Sequence, residues 1–299
     1  MIIIKFIKKF WHAIFWCVCI IAIICGGVYE YHKGLTYQAT EKRIDTAKIP
    51  KEQLHQNGII VLCYHRVTKN SKVEKLSKEL SNNNQIHSYQ VTLKQLKQQV
   101  EFFKKHNVEI ISAQRAVEMV KNHEPIDKQY AVLTFDDFDN TTYYNAYPYL
   151  VKNHIPFTAF VVTGMTNNYD GGTALATWSE IKKMAKNPYV SFGLHTNDMH
   201  YQVDNHGVLT LSANYNAFKK DYHKSQKKLH AEIGRYSNIF AYPYGEYTPK
   251  VQEFLVKEGI TTFSLENGTI TNDTNLEQPL PRVMISPGTW KGAVEKWVR

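Results

Sequence analysis

The sequence predicts an α/β fold in which parallel strands form a closed or nearly closed barrel, with helices around it. Short segments rich in β-branched and aromatic residues recur along the chain, and helical patterns lie between most of them. The strand segments carry apolar residues at consecutive positions, which is typical of a parallel sheet buried on both faces. Seven or eight such units indicate a distorted (β/α) barrel. An open doubly wound sheet is the alternative, because periodicity does not show closure.

An apolar run covers residues 10–28, long enough at about 1.5 Å per residue to cross a bilayer core of about 30 Å. Lys5, Lys8 and Lys9 precede the run, and positive charge there favours a cytoplasmic N-terminus. We therefore expect residues 1–29 to be a membrane anchor with one transmembrane helix, and the rest of this single-pass protein to be extracellular. A cleaved signal peptide, which leaves a secreted or surface-associated protein, is the alternative.

Residues 30–57 are polar and lack a sustained apolar period, so they are predicted to be a linker. One folded domain is expected over residues 58–299, because 43% of the 299 residues are hydrophobic and disorder is thereby disfavoured. Cys63 is the one cysteine in that range, which excludes an intrachain disulfide there. The net charge of +9 is scattered and no zinc-finger or basic-helix pattern accompanies it, so nucleic acid is not an expected partner.

Helical patterns separate most of the predicted strands of this domain. Leu96, Val100 and Phe103 recur at helical spacing, and Thr177 with Glu180 forms a capping-box pattern at the start of another helix. The strands are predicted at residues 59–63, 108–111, 131–135, 157–162, 190–194, 239–242, 261–265 and 283–285.

Polar side chains follow several predicted strands, at the end where parallel α/β folds build their ligand sites. His65 follows the first strand, Asp136 and Asp137 follow the third, and His195 and His200 follow the fifth. Taken singly, an aspartate pair after a strand is most often a turn or a helix N-cap, and a lone histidine is most often structural. Their common position at one rim is the reason to expect a shared site.

The residue types in this set suit metal-assisted hydrolysis. One carboxylate and two neutral imidazoles make a three-ligand site for Zn²⁺ or a similar metal, with positions left for water and substrate. A second carboxylate that does not bind the metal can accept a proton from water, and an imidazole across the site can protonate a leaving group. The pattern is therefore typical of a hydrolase.

These residues resemble the motifs of the polysaccharide deacetylase family, carbohydrate esterase family 4, over roughly residues 59–297. The stretch Thr-Phe-Asp-Asp at 134–137 resembles the first family motif, which implies that Asp136 is the catalytic base and Asp137 a metal ligand. His195 and His200 resemble the second motif, which implies two further metal ligands.

Spacing and order resemble one branch of that family, the intercellular adhesin poly-β-1,6-N-acetylglucosamine N-deacetylases. His195 and His200 are five positions apart, as in that branch, whereas most of the family uses four. His65 stands ahead of the aspartate motif, and this permuted order implies that His65 is the general acid.

The stretch Tyr-Pro-Tyr-Gly at 242–245 resembles the third motif, in which the second aromatic residue gives a backbone N–H to the oxyanion. The resemblance therefore implies substrate or oxyanion contacts from Tyr244 and Tyr242. The wider family begins this motif with an arginine that orients the base, and Ala241 stands there in this chain. Arg282 is a candidate substitute, with a surface or structural role as the alternative.

The resemblance implies a hydrolase of linear amide bonds that uses one divalent metal ion, Zn²⁺ in first place, with Co²⁺ or Ni²⁺ as alternatives. It would remove acetyl groups from extracellular poly-β-1,6-N-acetyl-D-glucosamine and release acetate during biofilm polysaccharide maturation. The expected partners are this polysaccharide, the membrane, and polysaccharide synthesis or export machinery. Two alternatives stay open: a deacetylase of peptidoglycan or chitin type, and a catalytically silent glycan-binding protein on the same fold.

Overall fold

The computed structural model describes residues 11–12, 14–28, 48–69, 71–72, 90–166, 169–170 and 173–298. Within these residues, eight strands form one sheet, and the sequence predicted a strand at each of these places. They are β1 Gly58–Tyr64, β2 Glu109–Ile111, β3 Gln129–Phe135, β4 Phe157–Val161, β5 Val190–Leu194, β6 Ile239–Ala241, β7 Thr261–Phe263 and β8 Val283–Met284.

The strands pair in the order β7-β6-β5-β4-β3-β1-β8, and β2 pairs with the first half of β3. Each of these ladders is parallel. At the gap between β7 and β8, Phe263 forms a parallel bridge with Leu280. The chain thus has the expected parallel α/β fold, in a half-barrel form consistent with a distorted (β/α) barrel.

Six α-helices of six or more residues connect and cover the strands in the described part of the chain, and two three-residue helices follow near its end, Pro287–Thr289 and Glu295–Trp297. Thr177 caps one of the six: its Oγ1 accepts the N–H of Glu180, while the carboxylate of Glu180 accepts the N–H of Thr177, which confirms the predicted capping box. The six helices are α1 Leu93–Lys105, α2 Ala113–Lys121, α3 Tyr147–Lys152, α4 Trp178–Met184, α5 Tyr215–Ile233 and α6 Pro249–Lys257.

Short elements complete the described fold. The chain also forms two π-helices, Thr142–Ala146 and Trp290–Val294, and a two-stranded antiparallel hairpin of Gln202–Val203 with His206–Gly207. A small parallel pair joins Arg66–Thr68 to Gln90–Thr92.

The core lies between the sheet and its helices. β1, β3 and β4 are buried at every position, as expected of strands covered on both faces. On α1, Leu96 and Phe103 are fully buried because the helical period places them on one face. Burial on both sides leaves the carboxyl ends of the strands as the place where polar side chains can gather.

The segment predicted to cross a membrane is described at residues 11–12 and 14–28, which are helical. Among the described residues, no helix is both long enough and apolar enough to span a bilayer.

The predicted linker lies outside the described residues up to position 47. From residue 48 onwards the chain packs on the domain: Ile49 is buried in the core, and the Gln53 side chain accepts the N–H of Thr269 at 2.9 Å. The folded region therefore includes residues that the sequence assigned to the linker, because one buried isoleucine leaves no apolar period to detect.

Candidate active site

Five residues predicted to act in catalysis lie at the carboxyl end of the sheet. His65 directly follows β1, Asp136 and Asp137 follow β3, and His195 follows β5, with His200 in the loop beyond it. Because the strands are parallel, these positions fall on one edge of the fold.

Asp137, His195 and His200 form the first cluster. Asp137 Oδ1 lies 2.9 Å from His200 Nε2 and 3.4 Å from His195 Nε2, and the three potential ligand atoms lie within 4.8 Å of one another. Nδ1–H of His195 donates to the carbonyl of Ala241 at 2.7 Å, so Nε2 carries the lone pair that faces the cluster. One carboxylate oxygen and two imidazole nitrogens fit Zn²⁺ or a similar divalent metal.

The turn after β3 sends two consecutive carboxylates in different directions. Asp137 and Phe138 have φ angles of 59° and 62°, in the left-handed region that residues other than glycine rarely adopt. This backbone directs Asp137 to the imidazoles and leaves Asp136 on the side of β1 and Arg282. Strained backbone of this kind is concentrated at functional sites.

Arg282, one residue before β8, binds Asp136 with both arms of its guanidinium group. Nη1 and Nη2 donate to Oδ1 and Oδ2 of Asp136 at 2.7 and 2.8 Å, and Nε donates to the carbonyl of Ser264 at 3.0 Å. Arg282 is fully buried. Arg282 therefore has the contacts expected of a residue that orients Asp136. The wider family would have an arginine for that role at the position of Ala241.

Asp136 is ionised in this setting. Burial alone would raise the pKa of its carboxyl, but the charge of Arg282, the neighbouring imidazoles and the Arg282 hydrogen bonds together bring the pKa below its usual value. The Cys63 thiol also donates to Asp136 Oδ2, at 3.4 Å, and burial holds the pKa of that thiol well above its usual value. Asp136 is thus a carboxylate with three donors around it.

Sequence reasoning did not single out Cys63 for the site. On β1 it is paired in register with Thr134 of β3, two residues before Asp136, so the sheet itself brings the thiol to the carboxylate. The one available signal was its place near the end of the strand that precedes His65.

The charges within the first cluster shift the pKa values of its members in opposite directions. Burial would raise the pKa of Asp137, but the His200 and His195 contacts hold it well below the usual range. Burial would lower the pKa of His200, but the Asp137 carboxylate raises it above the ordinary value. Without a metal, the pair therefore favours an aspartate anion beside an imidazolium.

His65 lies beside both aspartates and is 9% exposed. Burial lowers its pKa, against the opposing effect of Asp137 and Asp136. Cys63, His65 and Asp136 also offer three potential ligand atoms within 4.8 Å of one another. Because both oxygens of Asp136 already bind the Arg282 cation, this second group is poorly suited to a metal ion.

Tyr244 lies in the turn after β6, next to the metal-ligand candidates. Its φ and ψ angles are 61° and 5°, and its ring centroid lies 5.0 Å from that of His200. Gly245 follows with φ 71°, and a Cβ atom there would come within 2.7 Å of Leu265, so the turn requires glycine.

Tyr242 differs from the expectation. Its side chain is fully buried and Oη donates to Gln252 Oε1 at 2.5 Å, so it supports the turn from the core. The Tyr242 side chain is therefore not placed to contact substrate, contrary to the expectation. The sequence motif identifies the turn, but the alternation of side chains directs the first tyrosine inwards.

The fold and this residue set define a class of protein. A family model described as Polysaccharide deacetylase matches residues 123–263, which include the aspartate pair, both cluster histidines and the Tyr242–Gly245 turn. Residues 123–263 therefore form a polysaccharide deacetylase domain, and the chain is a hydrolase acting on amide bonds.

Its relatives define a narrower group. A poly-β-1,6-N-acetyl-D-glucosamine N-deacetylase of Staphylococcus aureus (strain MRSA252) is 29% identical over 249 residues, covering 83% of this chain and 85% of that protein. A protein of the same name from Staphylococcus epidermidis is 28% identical over 251 residues, covering 83% of this chain and 86% of its own length.

Solved structures share the architecture. IcaB from Ammonifex degensii superposes with a TM-score of 0.72 at 28% identity, covering 82% of this chain and 98% of that chain. A Streptococcus pyogenes deacetylase, solved in complex with acetate, has a TM-score of 0.63 at 22% identity, covering 80% of this chain and 98% of its own. The second likeness shows the fold alone.

Proposed function

We propose that this chain is a metal-dependent N-deacetylase of poly-β-1,6-N-acetyl-D-glucosamine, which hydrolyses acetamido groups and releases acetate. The observation that carries the proposal is the cluster of Asp137, His195 and His200 beside an ionised carboxylate, Asp136, which Arg282 holds with two hydrogen bonds. The relatives named for this polymer support the choice of substrate.

Asp137, His195 and His200 would hold one divalent metal ion, with Zn²⁺ as the first choice and Co²⁺ or Ni²⁺ as alternatives. Such an ion supplies Lewis-acid polarisation of the acetamido carbonyl and makes water a nucleophile at neutral pH. The protein's part is to present one oxygen and two neutral nitrogens, which the Ala241 carbonyl promotes by fixing the His195 tautomer.

The remaining residues move protons and bind the oxyanion. Asp136 accepts the proton of the attacking water, since its lowered pKa keeps it ionised. Tyr244 contributes a backbone N–H to the oxyanion formed from the carbonyl oxygen. His65 gives its proton to the departing amine nitrogen. The products are acetate and a glucosamine unit with a free amine.

The test of these roles is acetate release from β-1,6-linked N-acetylglucosamine oligomers by protein loaded with Zn²⁺. Asp136→Asn preserves shape but not basicity, so it should retain bound metal while acetate release falls about a hundred- to ten-thousand-fold. Glu253→Gln, at an exposed position on α6, is the matched control and should leave both readouts unchanged. Activity of Asp136→Asn at the control level would exclude Asp136 as the base.

Substrate class is decided by comparing β-1,6 with β-1,4 N-acetylglucosamine oligomers under the same conditions. Faster acetate release from the β-1,6 series supports the proposed polymer, and preference for the β-1,4 series would identify a peptidoglycan or chitin-type deacetylase instead. Oligomer binding with no acetate release in the presence of Zn²⁺, Co²⁺ or Ni²⁺ would identify a silent glycan-binding protein.

We also infer from the sequence that the deacetylase domain acts outside the cell while residues 1–29 attach it to the membrane, where biofilm polysaccharide synthesis or export machinery would supply the polymer. The apolar run over residues 10–28 supports this arrangement. Fractionation of cells that express the full chain tests it: recovery of the protein in the soluble extracellular fraction would exclude a membrane anchor.

A further inference from the structure

The loop between His195 and His200 has an unusual backbone and a buried position. Thr196 has φ 73°, in the left-handed region, and Thr196 and Asn197 are both buried. His195 is fixed at its start by the end of β5 and by the Ala241 carbonyl. His200 stands at the far end, so the conformation of the loop decides where its imidazole lies.

Asp221, on α5, binds the backbone of this loop at two consecutive positions. Its Oδ2 accepts the N–H of Asn197 and its Oδ1 accepts the N–H of Asp198, both at 2.7 Å. The Asp221 side chain is buried, at 7% exposure. One carboxylate thus fixes two successive peptide groups, and hydrogen bonds to a charged acceptor are stronger than neutral ones.

Three further hydrogen bonds complete the frame around the loop. One turn beyond Asp221, the Ser225 hydroxyl donates to the carbonyl of Thr196 at 3.2 Å. From the other side, the N–H groups of Thr163 and Gly164, after β4, donate to the carbonyls of Thr196 and Asn197 at 3.1 and 2.9 Å. The loop is therefore held between α5 and the end of β4.

We propose that Asp221 is a positioning residue for deacetylation, which sets the loop so that the His200 imidazole meets Asp137. Its carboxylate would act through the N–H groups of Asn197 and Asp198, which lie between the two histidines. The inference rests on the proposed function, because the loop matters for catalysis through the metal site. Partners that orient metal ligands typically change metal affinity or activity about ten- to a hundred-fold when removed.

The experiment compares Asp221→Ala and Asp221→Asn with the wild-type full chain. Zn²⁺ dissociation constants are measured by competition with a chelating dye, and thermal midpoints are measured on metal-free protein. The alanine variant loses both acceptors and should bind Zn²⁺ about ten- to a hundred-fold more weakly. The asparagine variant keeps one carbonyl acceptor, so its Zn²⁺ dissociation constant should lie between those of the wild type and the alanine variant. If the alanine variant does not fold, the asparagine variant alone tests the proposal.

Gln226→Ala is the matched control on the same helix. Gln226 is also buried, and it binds another loop in the same manner, accepting the N–H of Ser237 at 3.0 Å and donating to its carbonyl at 2.7 Å. That loop precedes β6 and is separate from the histidine loop. The control should lower the thermal midpoint of the metal-free protein and leave the Zn²⁺ dissociation constant unchanged.

The outcomes separate this inference from the function on which it rests. Wild-type Zn²⁺ affinity in both Asp221 variants, or equal weakening by Gln226→Ala, would overturn the positioning role while leaving the deacetylase proposal intact. Absence of Zn²⁺ binding by the wild-type protein would overturn both.

Discussion

Asp136 and Asp137 are neighbours in sequence with different surroundings. Arg282 and Cys63 contact Asp136, whereas the two cluster imidazoles contact Asp137. Both pKa values lie below the usual range. The Arg282 guanidinium makes the largest lowering contribution for Asp136, with smaller ones from the neighbouring imidazoles, whereas imidazoles alone lower the pKa of Asp137. The different roles proposed for the two carboxylates, base and metal ligand, therefore depend on the side chains that each one contacts.

Arg282→Met tests this dependence for Asp136. Loss of the guanidinium charge raises the pKa of Asp136, so the acid limb of the pH profile of kcat/KM should move to higher pH, because a base must be ionised to act. Arg282→Lys is the control, because lysine keeps a positive charge but cannot make the two-armed contact. The acid limb of its pH profile should move less than that of Arg282→Met. Unchanged acid limbs in both variants would contradict a role for Arg282 in setting the base.

Proton competition at His200 gives a second prediction. In metal-free protein the pKa of His200 is raised by Asp137, so at pH values below that pKa a metal must displace a proton to bind. The apparent Zn²⁺ affinity should therefore rise as pH increases from acid to neutral and level off above the His200 pKa. Calorimetry in buffers of different ionisation enthalpy measures the protons released, and binding without release in the acid range would contradict this.

Sequence predicted the ionisable residues of the site because their types and spacing resemble family motifs, and the structure brings their side chains into contact. Arg282 was also a candidate partner of Asp136 from the sequence, but Cys63 and Asp221 were not singled out. The register of β1 with β3 places the thiol beside Asp136, and the packing of α5 against the histidine loop places the Asp221 carboxylate there. Spacing along the chain carries no information about contacts of this sort.

At the level of elements, the strands were predictable and the connections between them less so. β-rich runs and the Thr177 capping box are local patterns, and the structure has both. The left-handed residues Thr196 and Tyr244 are not glycines, so nothing in their side chains marks the loop conformations they adopt. Those conformations depend on partners from other elements, such as α5 and the end of β4.

Gly164→Ala tests how closely the end of β4 must approach the histidine loop. A Cβ atom at Gly164 would overlap Asp198 Oδ1 and lie 2.6 Å from the Asn197 carbonyl oxygen, so the loop has to shift. We expect weaker Zn²⁺ binding together with lower stability, measured by dye competition and urea unfolding.

The control for this change is Gly234→Ala, at the end of α5. Gly234 has φ 73° with nothing within 4 Å of a Cβ atom, so alanine there should cost about 1–2 kcal/mol of stability and leave Zn²⁺ affinity unchanged. Equal effects of the two substitutions on metal binding would contradict the close-approach argument.

For the whole molecule, the parallel arrangement was predictable and the degree of closure was not. Apolar strands that alternate with helices predict a parallel sheet, but one bridge, Phe263 with Leu280, spans the gap between β7 and β8. Pairing of that kind depends on long-range geometry rather than on periodicity.

The packing of residues near both ends of the described domain is likewise a tertiary effect: the His55 N–H and the Gln129 side chain both donate to the carbonyl of Trp297.

Trp297→Ala tests this packing. The side chain is fully buried, so its removal leaves a cavity and should cost about 3–5 kcal/mol of unfolding free energy. Tyr236→Ala, at a position 65% exposed, is the control and should change stability by about 0.5 kcal/mol or less. Urea unfolding measures both, and equal small changes would show that the C-terminal residues contribute little to the domain.

The contacts of Gln129 also fix the side from which the chain enters the domain. Gln129 begins β3 and donates to the Gln56 carbonyl, so the stretch before β1 lies at the amino end of the sheet, while Asp136 and Asp137 lie beyond its carboxyl end. If residues 1–29 anchor the protein as proposed, the tether would join the domain at the end opposite the candidate active site. The active site would then face away from the membrane and be accessible to the polymer.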